Sequence, residues 1–254
     1  DEMMDGFHVI VGKKTGTKPD RAVVYFPGGG SRRWQLPYRG SIRNYIEGTG
    51  AELWIPLYPL LPDYDLMDET EFTIRLHEKM LKRFPAENIV WLGISGGADV
   101  LMQAGRHMVK KYPELPMPGL MLPVSVSGLL MSEDAKTRMR GIDSRDPILH
   151  WDMFETMVKY YNPNGDLPQY ILGKADEDDY TGFPKIIMYF GGDEVFAGIA
   201  PDYEKSFIRC GVKDYEIKIK EGMPHAYPVF TFLKEGREGE REIIADINRY
   251  FESR

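Results

Sequence analysis

The chain has 254 residues, of which 43% are hydrophobic, and this is enough apolar surface for one domain with a sizeable core. Its formal net charge of −7 argues against a nucleic-acid-binding protein, because phosphate contacts need clustered Lys and Arg. The single cysteine, Cys210, excludes an intrachain disulfide and a CxxC zinc or redox site. No run of about 18 apolar residues is present that could span a membrane.

Seven apolar runs have the length and composition of β-strands. In chain order they cover residues 7–11, 22–26, 53–55, 89–93, 120–126, 186–190 and 215–219. Helical patterns alternate with them. One apolar stripe at helical spacing covers residues 98–112, directly after the fourth run, and another covers residues 243–251. The alternation predicts an α/β domain.

Residues 128–183 interrupt this alternation. They are rich in Pro, Asp, Gly and Met, and contain one helix-like piece at residues 151–161. A structureless loop of this length inside a compact domain would be unusual. We therefore predict a small helical cap, or lid, inserted over an active site within a single domain of residues 1–254.

The strongest local signal is the motif GISGG at residues 93–97. A GxSxG pattern is weak by itself, but this one joins the end of a predicted strand to the start of an amphipathic helix. Such a sharp elbow needs small residues around the serine and presents its hydroxyl at the edge of the sheet. We predict Ser95 as a nucleophile. The alternative is a plain turn in which Ser95 caps the helix.

A serine nucleophile needs a base, and after an elbow of this kind the acid and then the base follow in the chain. Of the five histidines, only His225 follows a candidate acid, and it lies in a loop after the last predicted strand. We predict His225 as the base rather than a surface residue. For the acid we prefer Asp193 over Glu194, because it follows a strand and two glycines. Asp202 and Asp214 are more distant candidates.

Acyl transfer also needs N–H donors for the negative charge that develops on the carbonyl oxygen. The segment PGGG at residues 27–30 follows an early strand, and we predict an oxyanion hole formed by Gly28, Gly29 and Gly96. Three glycines could instead bind a phosphate. The G-x-G-x-x-G spacing and the P-loop lysine are both absent, however, which disfavours a nucleotide site.

Over residues 20–254 these motifs, in this order, resemble the hormone-sensitive-lipase-like branch of the α/β-hydrolases. PGGG is similar to that family's HGGG loop, and GISGGAD to its GDSAGG elbow. YPLLP at residues 58–62 and DPIL at residues 146–149 resemble its Y-x-L-x-P and D-P-x-L segments, while GGDEVF and PHAY resemble the segments with its acid and histidine. The resemblance implies a mostly parallel eight-stranded sheet flanked by helices. It also implies hydrolysis of carboxylic esters, often short-chain and acetyl esters among them, without cofactor or metal.

Three features depart from the family's pattern. Pro27 stands where the family has the oxyanion-loop histidine, so other hydrogen bonds must hold this loop. Ile94 replaces a polar residue before the serine. The segment before residue 22 is shorter than the family's helical N-terminal cap, so we expect an open acyl pocket roofed mainly by residues 128–183.

The predicted function is therefore a serine carboxylesterase that acts through an acyl-enzyme. An acyltransferase, thioesterase or peptidase with the same triad, and a non-catalytic ligand receptor, are alternatives. Five residues either flank one of these motifs or lie in the predicted cap, and we predict that they line the substrate pocket. Burial in the core would explain each of them equally well. They are Trp34, Met153, Phe154, Phe196 and Tyr227.

Cell location and partners follow only from composition. No secretory leader is recognisable, so we expect a cytoplasmic protein, but the sequence begins with Asp1 rather than Met and secretion stays an alternative. We expect a small-molecule ester as the binding partner and no nucleic acid. An apolar face on the sheet edge or on the final helix leaves a homodimer open.

Overall fold

The computed structural model describes residues 2–254, apart from the side chain of Glu155, and within them forms one eight-stranded β-sheet. Asp1, the first residue of the predicted single domain, lies outside the described residues. The strands are β1 (Glu2–Met4), β2 (Phe7–Gly12), β3 (Ala22–Phe26), β4 (Glu52–Pro56), β5 (Ile89–Ile94), β6 (Leu120–Val124), β7 (Lys185–Gly191) and β8 (Tyr215–Lys220).

The sheet has the order β1-β2-β4-β3-β5-β6-β7-β8. β2 pairs antiparallel with both β1 and β4, and every other pair is parallel. The predicted mostly parallel eight-stranded sheet is therefore confirmed, and all seven predicted strands are present. Sequence reasoning missed β1, because three residues on the edge of a sheet carry no detectable period.

Eight α-helices accompany the sheet in the described part of the chain. They are α1 (Arg39–Thr49), α2 (Leu66–Leu81), α3 (Gly96–Lys111), α4 (Glu133–Ile142), α5 (Asp152–Tyr161), α6 (Gln169–Leu172), α7 (Ala200–Cys210) and α8 (Lys234–Glu252). The start of α2 is set by Asp65, whose side chain accepts hydrogen bonds from the backbone N–H groups of Met67 and Asp68. None of these helices is long and apolar enough to cross a lipid bilayer.

The helices cover both faces of the sheet. Every residue of β3, β4, β5 and β6 is buried, as parallel strands between two helical layers require. Successive side chains point to opposite faces. Val24 and Phe26 of β3 therefore pack in the layer with α2, α3 and α7, whereas Val23 and Tyr25 pack in the layer with α1 and α8.

The segment predicted as a cap contains α4, α5 and α6. The predicted helix-like piece at residues 151–161 corresponds to α5. That this segment acts as a lid stays a prediction.

The parallel strands bring four loops to one edge of the sheet. The carboxyl ends of parallel strands lie at the same edge, where α/β proteins bind their ligands. The loops after β3, β5, β7 and β8 carry the glycine segment, Ser95, the candidate acid and His225, respectively. The topology thus explains why residues more than a hundred positions apart in the chain meet.

Candidate active site

Ser95 lies in a sharp turn between β5 and α3, with φ 52° and ψ −122°. This is a conformation that non-glycine residues rarely adopt, so the surrounding packing must hold it. Two glycines make that packing possible. A Cβ atom on Gly97 would lie 2.1 Å from the carbonyl oxygen of Phe26, and one on Gly93 would lie 2.4 Å from that of Gly97. The glycines of the GISGG motif are therefore required sterically.

Ser95 and His225 form a direct contact. The Oγ atom of Ser95 is 2.8 Å from Nε2 of His225, and Nδ1 of the same ring is 2.7 Å from Oε2 of Glu194. Because a carboxylate only accepts hydrogen bonds, Nδ1 carries the proton. Nε2 is then free to accept the hydroxyl proton of Ser95.

The carboxylate that contacts His225 belongs to Glu194, so the prediction of Asp193 in this position is wrong. Asp193 turns outward and forms an ion pair with Arg145, with 2.9 Å between Nη1 and Oδ1. Glu194 is completely buried, and its Oε1 accepts hydrogen bonds from Ser125 Oγ and from the backbone N–H of Gly191, both at 2.9 Å. Of the two neighbouring carboxylates, Asp193 thus pairs with an arginine and only Glu194 contacts His225.

The more distant acid candidates also have other partners. Asp202 accepts hydrogen bonds from Ser132 and Arg138. Asp214 pairs with Lys185 at 2.7 Å. Neither is a hydrogen-bond partner of His225.

Burial and hydrogen bonding act on Glu194 in opposite directions. Burial is the larger effect and raises the pKa of this carboxyl above its usual range, while the hydrogen bonds from His225, Ser125 and Gly191 lower it in part. The ionised form of Glu194 therefore depends on these three donors. A carboxylate held in this way can orient the imidazole and stabilise its positive charge.

Ser125 connects the acid to the base, and sequence reasoning missed it. Its backbone has φ 55°. Its Oγ donates to Glu194 and accepts a hydrogen bond from the backbone N–H of Ala226 at 2.9 Å. The only sequence signal for this role is its place directly after β6, at the same edge of the sheet as Ser95.

The glycine loop lies next to Ser95, and its glycines divide between two neighbouring cavities. Gly29, Gly30 and Gly96 line the same cavity as Ser95. Gly28 lines a smaller neighbouring cavity instead, and a Cβ atom on it would lie 2.9 Å from the carbonyl oxygen of Ile94. Gly29 and Gly30 thus lie in the same cavity as Ser95, and Gly28 packs closely behind the nucleophile.

Two tyrosines hold the glycine loop through hydrogen bonds to its carbonyl oxygens. Tyr58 donates a hydrogen bond from its hydroxyl to the carbonyl oxygen of Pro27 at 2.6 Å. Tyr161, at the end of α5, donates to the carbonyl oxygen of Gly30 at 2.5 Å. The predicted need for other hydrogen bonds around Pro27 is thus met by Tyr58 and by Tyr161, which belongs to the segment predicted as a cap.

The cavity that contains Ser95 has a volume of about 610 Å³. Three of the five predicted pocket residues, Met153, Phe154 and Phe196, lie in its wall. Trp34 does not, because its Nε1 donates to the carbonyl oxygen of Tyr58 at 3.0 Å and its ring is partly exposed. Tyr227 is buried instead against Gly239 of α8.

The wall of this cavity is polar along α3. Asp99, Gln103 and Arg106 project from one face of this helix, and sequence reasoning missed all three. Asp99 accepts hydrogen bonds from the backbone N–H groups of Ser127 and Gly128. In residues 2–254 no group of three or more His, Cys, Asp or Glu side chains is arranged to hold a metal ion.

Solved structures share this fold at low sequence identity. EstE5, in a crystal soaked with p-nitrophenyl butyrate, is 18% identical with a TM-score of 0.83, over 98% of this chain and 83% of that chain. An esterase of the bacterial hormone-sensitive lipase family is 18% identical with a TM-score of 0.80, over 98% of this chain and 86% of that chain. An esterase/lipase from an uncultured bacterium is 17% identical with a TM-score of 0.80, over 97% of this chain and 82% of that chain.

No curated protein matches the sequence. A family model described as the alpha/beta hydrolase fold matches residues 23–229, which include the glycine loop, Ser95, Glu194 and His225. The chain therefore belongs to the α/β-hydrolase fold family.

Proposed function

We propose that the protein is a serine carboxylesterase of the hormone-sensitive-lipase-like branch and that Ser95, His225 and Glu194 form its catalytic triad. One observation carries the proposal. A continuous chain of hydrogen bonds runs from Glu194 through His225 to Ser95, whose hydroxyl opens into a cavity of about 610 Å³. The esterase function named for its structural neighbours supports the same reaction class.

The proposed reaction has two halves. His225 accepts the proton of Ser95 through Nε2, and the serine oxygen attacks the ester carbonyl. The backbone N–H groups of Gly29, Gly30 and Gly96 stabilise the negative oxygen that results. His225 then gives the proton to the leaving alcohol, and an acyl group remains on Ser95. A water molecule, deprotonated by His225, attacks this acyl-enzyme and releases the carboxylic acid.

The cavity supports a preference for short acyl groups. Gln103 lies eight residues after Ser95, about 12 Å along the axis of α3 at 1.5 Å per residue. At this distance the wall contains Gln103, whose Oε1 is buried without a hydrogen-bond partner among the described residues, and an alkyl chain offers it none. We therefore propose short-chain acyl esters, acetyl esters included, as substrates.

Initial rates on p-nitrophenyl esters from acetate to decanoate test the proposal, with the wild type and Ser95→Ala measured side by side. We expect a maximum at short chains and a loss of up to about 10⁶-fold in kcat for the variant. Ser144→Ala, at an exposed position, is the matched control and should keep wild-type rates. Equal and negligible rates for the wild type and Ser95→Ala would contradict the proposed function.

A further inference from the structure

A second cavity, of about 240 Å³, adjoins the one that contains Ser95. The two cavities share three wall residues, Gln35, Ile148 and His225. The smaller cavity lies on the face of the sheet that carries α1 and α8. Its volume corresponds to about eight water molecules at liquid density, so a small organic group fits.

Most of the wall of this smaller cavity is apolar, but four buried polar residues form part of it. Tyr25, Ser41, Tyr45 and Glu240 line it, and each is at most 5% exposed. A ligand in the cavity would therefore contact these four polar side chains.

Glu240 is a buried carboxylate without a positively charged partner among the described residues. One of its oxygens accepts a hydrogen bond from the Asn44 amide at 2.6 Å. No lysine or arginine lines the cavity within residues 2–254. A buried carboxylate without a counter-charge is unfavourable, and a cation that enters the cavity would offset this cost.

The two tyrosines add neutral hydroxyl groups and aromatic rings to the site. Burial, and to a smaller degree the charge of Glu240, raises the pKa of Tyr25 and Tyr45 above the usual range. Their hydroxyl groups therefore stay neutral and present oxygen acceptors. Their ring centroids are 5.8 Å apart, and aromatic rings of this kind attract cations.

The position of His225 indicates which part of a substrate enters this cavity. In the proposed reaction, Nε2 of His225 gives its proton to the leaving alcohol oxygen. The glycine N–H groups and Ser95 are in the larger cavity, where the acyl part binds. The alcohol part then extends past His225 into the smaller cavity.

We propose that the smaller cavity binds a protonated amine on the alcohol part of the substrate, so that the enzyme prefers esters of small amino alcohols. Glu240 supplies the negative charge, and Tyr25, Ser41 and Tyr45 supply neutral oxygen acceptors. The inference rests on the proposed esterase function for the placement of the ester, but binding of the amine itself requires no catalysis.

The first experiment compares two esters of equal shape, 2-(dimethylamino)ethyl butyrate and its neutral isostere 3-methylbutyl butyrate. The ammonium group also activates the ester chemically, so the diagnostic quantity is the change between enzymes in the ratio of the two kcat/KM values. Glu240→Gln keeps the acceptor for Asn44 and removes the charge. We expect it to lower the ratio at least tenfold, or about 1.4 kcal/mol.

The matched control is Glu242→Gln, which removes one negative charge from an exposed position of the same helix. It should leave the ratio at the wild-type value. A ratio that is equal in the wild type and Glu240→Gln would overturn the inference. A higher kcat/KM for a glycerol ester than for the amino ester, unaffected by Glu240→Gln, would also overturn it, in favour of a neutral polyol.

The second experiment separates this inference from the proposed function. Calorimetry measures binding of N,N-dimethylethanolamine to Ser95→Ala, and we expect binding that is lost in the double variant with Glu240→Gln. Such binding supports the amine site even if the wild type hydrolyses no p-nitrophenyl ester, a result that would reject only the proposed function. Absence of amine binding in a wild type with normal esterase activity would reject only the inference.

Discussion

Exchange of Glu194 for glutamine should lower kcat about 10⁴-fold without unfolding the protein. Glutamine has the size of glutamate and keeps an oxygen for the hydrogen bonds from Ser125 and Gly191. Its amide nitrogen would then face Nδ1 of His225, where the carboxylate oxygen now lies at 2.7 Å. Two donors cannot share that contact, so the proton moves to Nε2, which can no longer accept the proton of Ser95.

The magnitude follows from this change of tautomer. The same change in a serine protease triad lowers kcat about 10⁴-fold, which corresponds to about 5.5 kcal/mol at 1.36 kcal/mol per tenfold. Stability should not fall with it, because burial already raises the pKa of Glu194 and opposes its charge. The assay is kcat on p-nitrophenyl butyrate, with thermal unfolding of each variant measured in parallel.

Asp193→Asn is the matched control, since it removes a charge from the adjacent residue. Asp193 and Arg145 form a partly exposed pair, and such pairs contribute only about 0–1 kcal/mol. We expect activity within about threefold of the wild type. The assignment of Glu194 would be refuted by a Glu194→Gln enzyme within tenfold of wild-type activity, or by an equal loss in Asp193→Asn.

Three further predictions concern the loop, the pocket and the core. Tyr161→Phe removes the hydrogen bond to Gly30. It should lower kcat on p-nitrophenyl butyrate about fivefold, which corresponds to about 1 kcal/mol. An equal loss of kcat in the control Tyr160→Phe would contradict this. Phe154→Ala should move the optimum of the p-nitrophenyl ester series to longer acyl chains, and an unchanged profile would show that this ring does not limit the pocket. Burial lowers the pKa of His77 to about 4, because the folded state favours the neutral ring. The buried neutral ring therefore stabilises the protein fully above pH 6.5, and this stabilisation is lost as the pH falls towards 4. The free energy of unfolding, measured with urea, should decrease between pH 7.5 and 4.5 by about 2–3 kcal/mol less in His77→Gln than in the wild type. An equal decrease in the two proteins would refute this.

His77 illustrates why a position in a helical pattern does not describe a histidine's environment. Its Nε2 lies 2.8 Å from the carbonyl oxygen of Pro116, its ring packs edge-on against Trp91, and its Nδ1 is buried without a partner in the described residues. A proton on Nδ1 would bury an unpaired N–H and a charge. Nothing in the local sequence specifies these contacts.

Local sequence determined the elements of this protein because their causes are local. A buried strand needs a continuous apolar run, and an amphipathic helix needs an apolar stripe, so all seven predicted strands and the helix after Ser95 were predicted correctly. The glycines beside Ser95 are required by backbone contacts as short as 2.1 Å, and such a requirement is visible as a motif. The order of the strands then placed the loops with Ser95 and His225 at one edge.

Only the tertiary structure decided which side chains turn towards the site. Asp193 and Glu194 are neighbours with the same chemistry, and what separates them is the position of Ser125, which directly follows another strand, β6. The same holds for Gly28 and Gly30, which differ in the cavity they face, and for Trp34 and Tyr227, which pack away from both. The direction of a side chain on a turn depends on hydrogen-bond donors and packing surfaces that distant segments supply. The smaller cavity beside Glu240 likewise exists only because β3, α1 and α8 meet there.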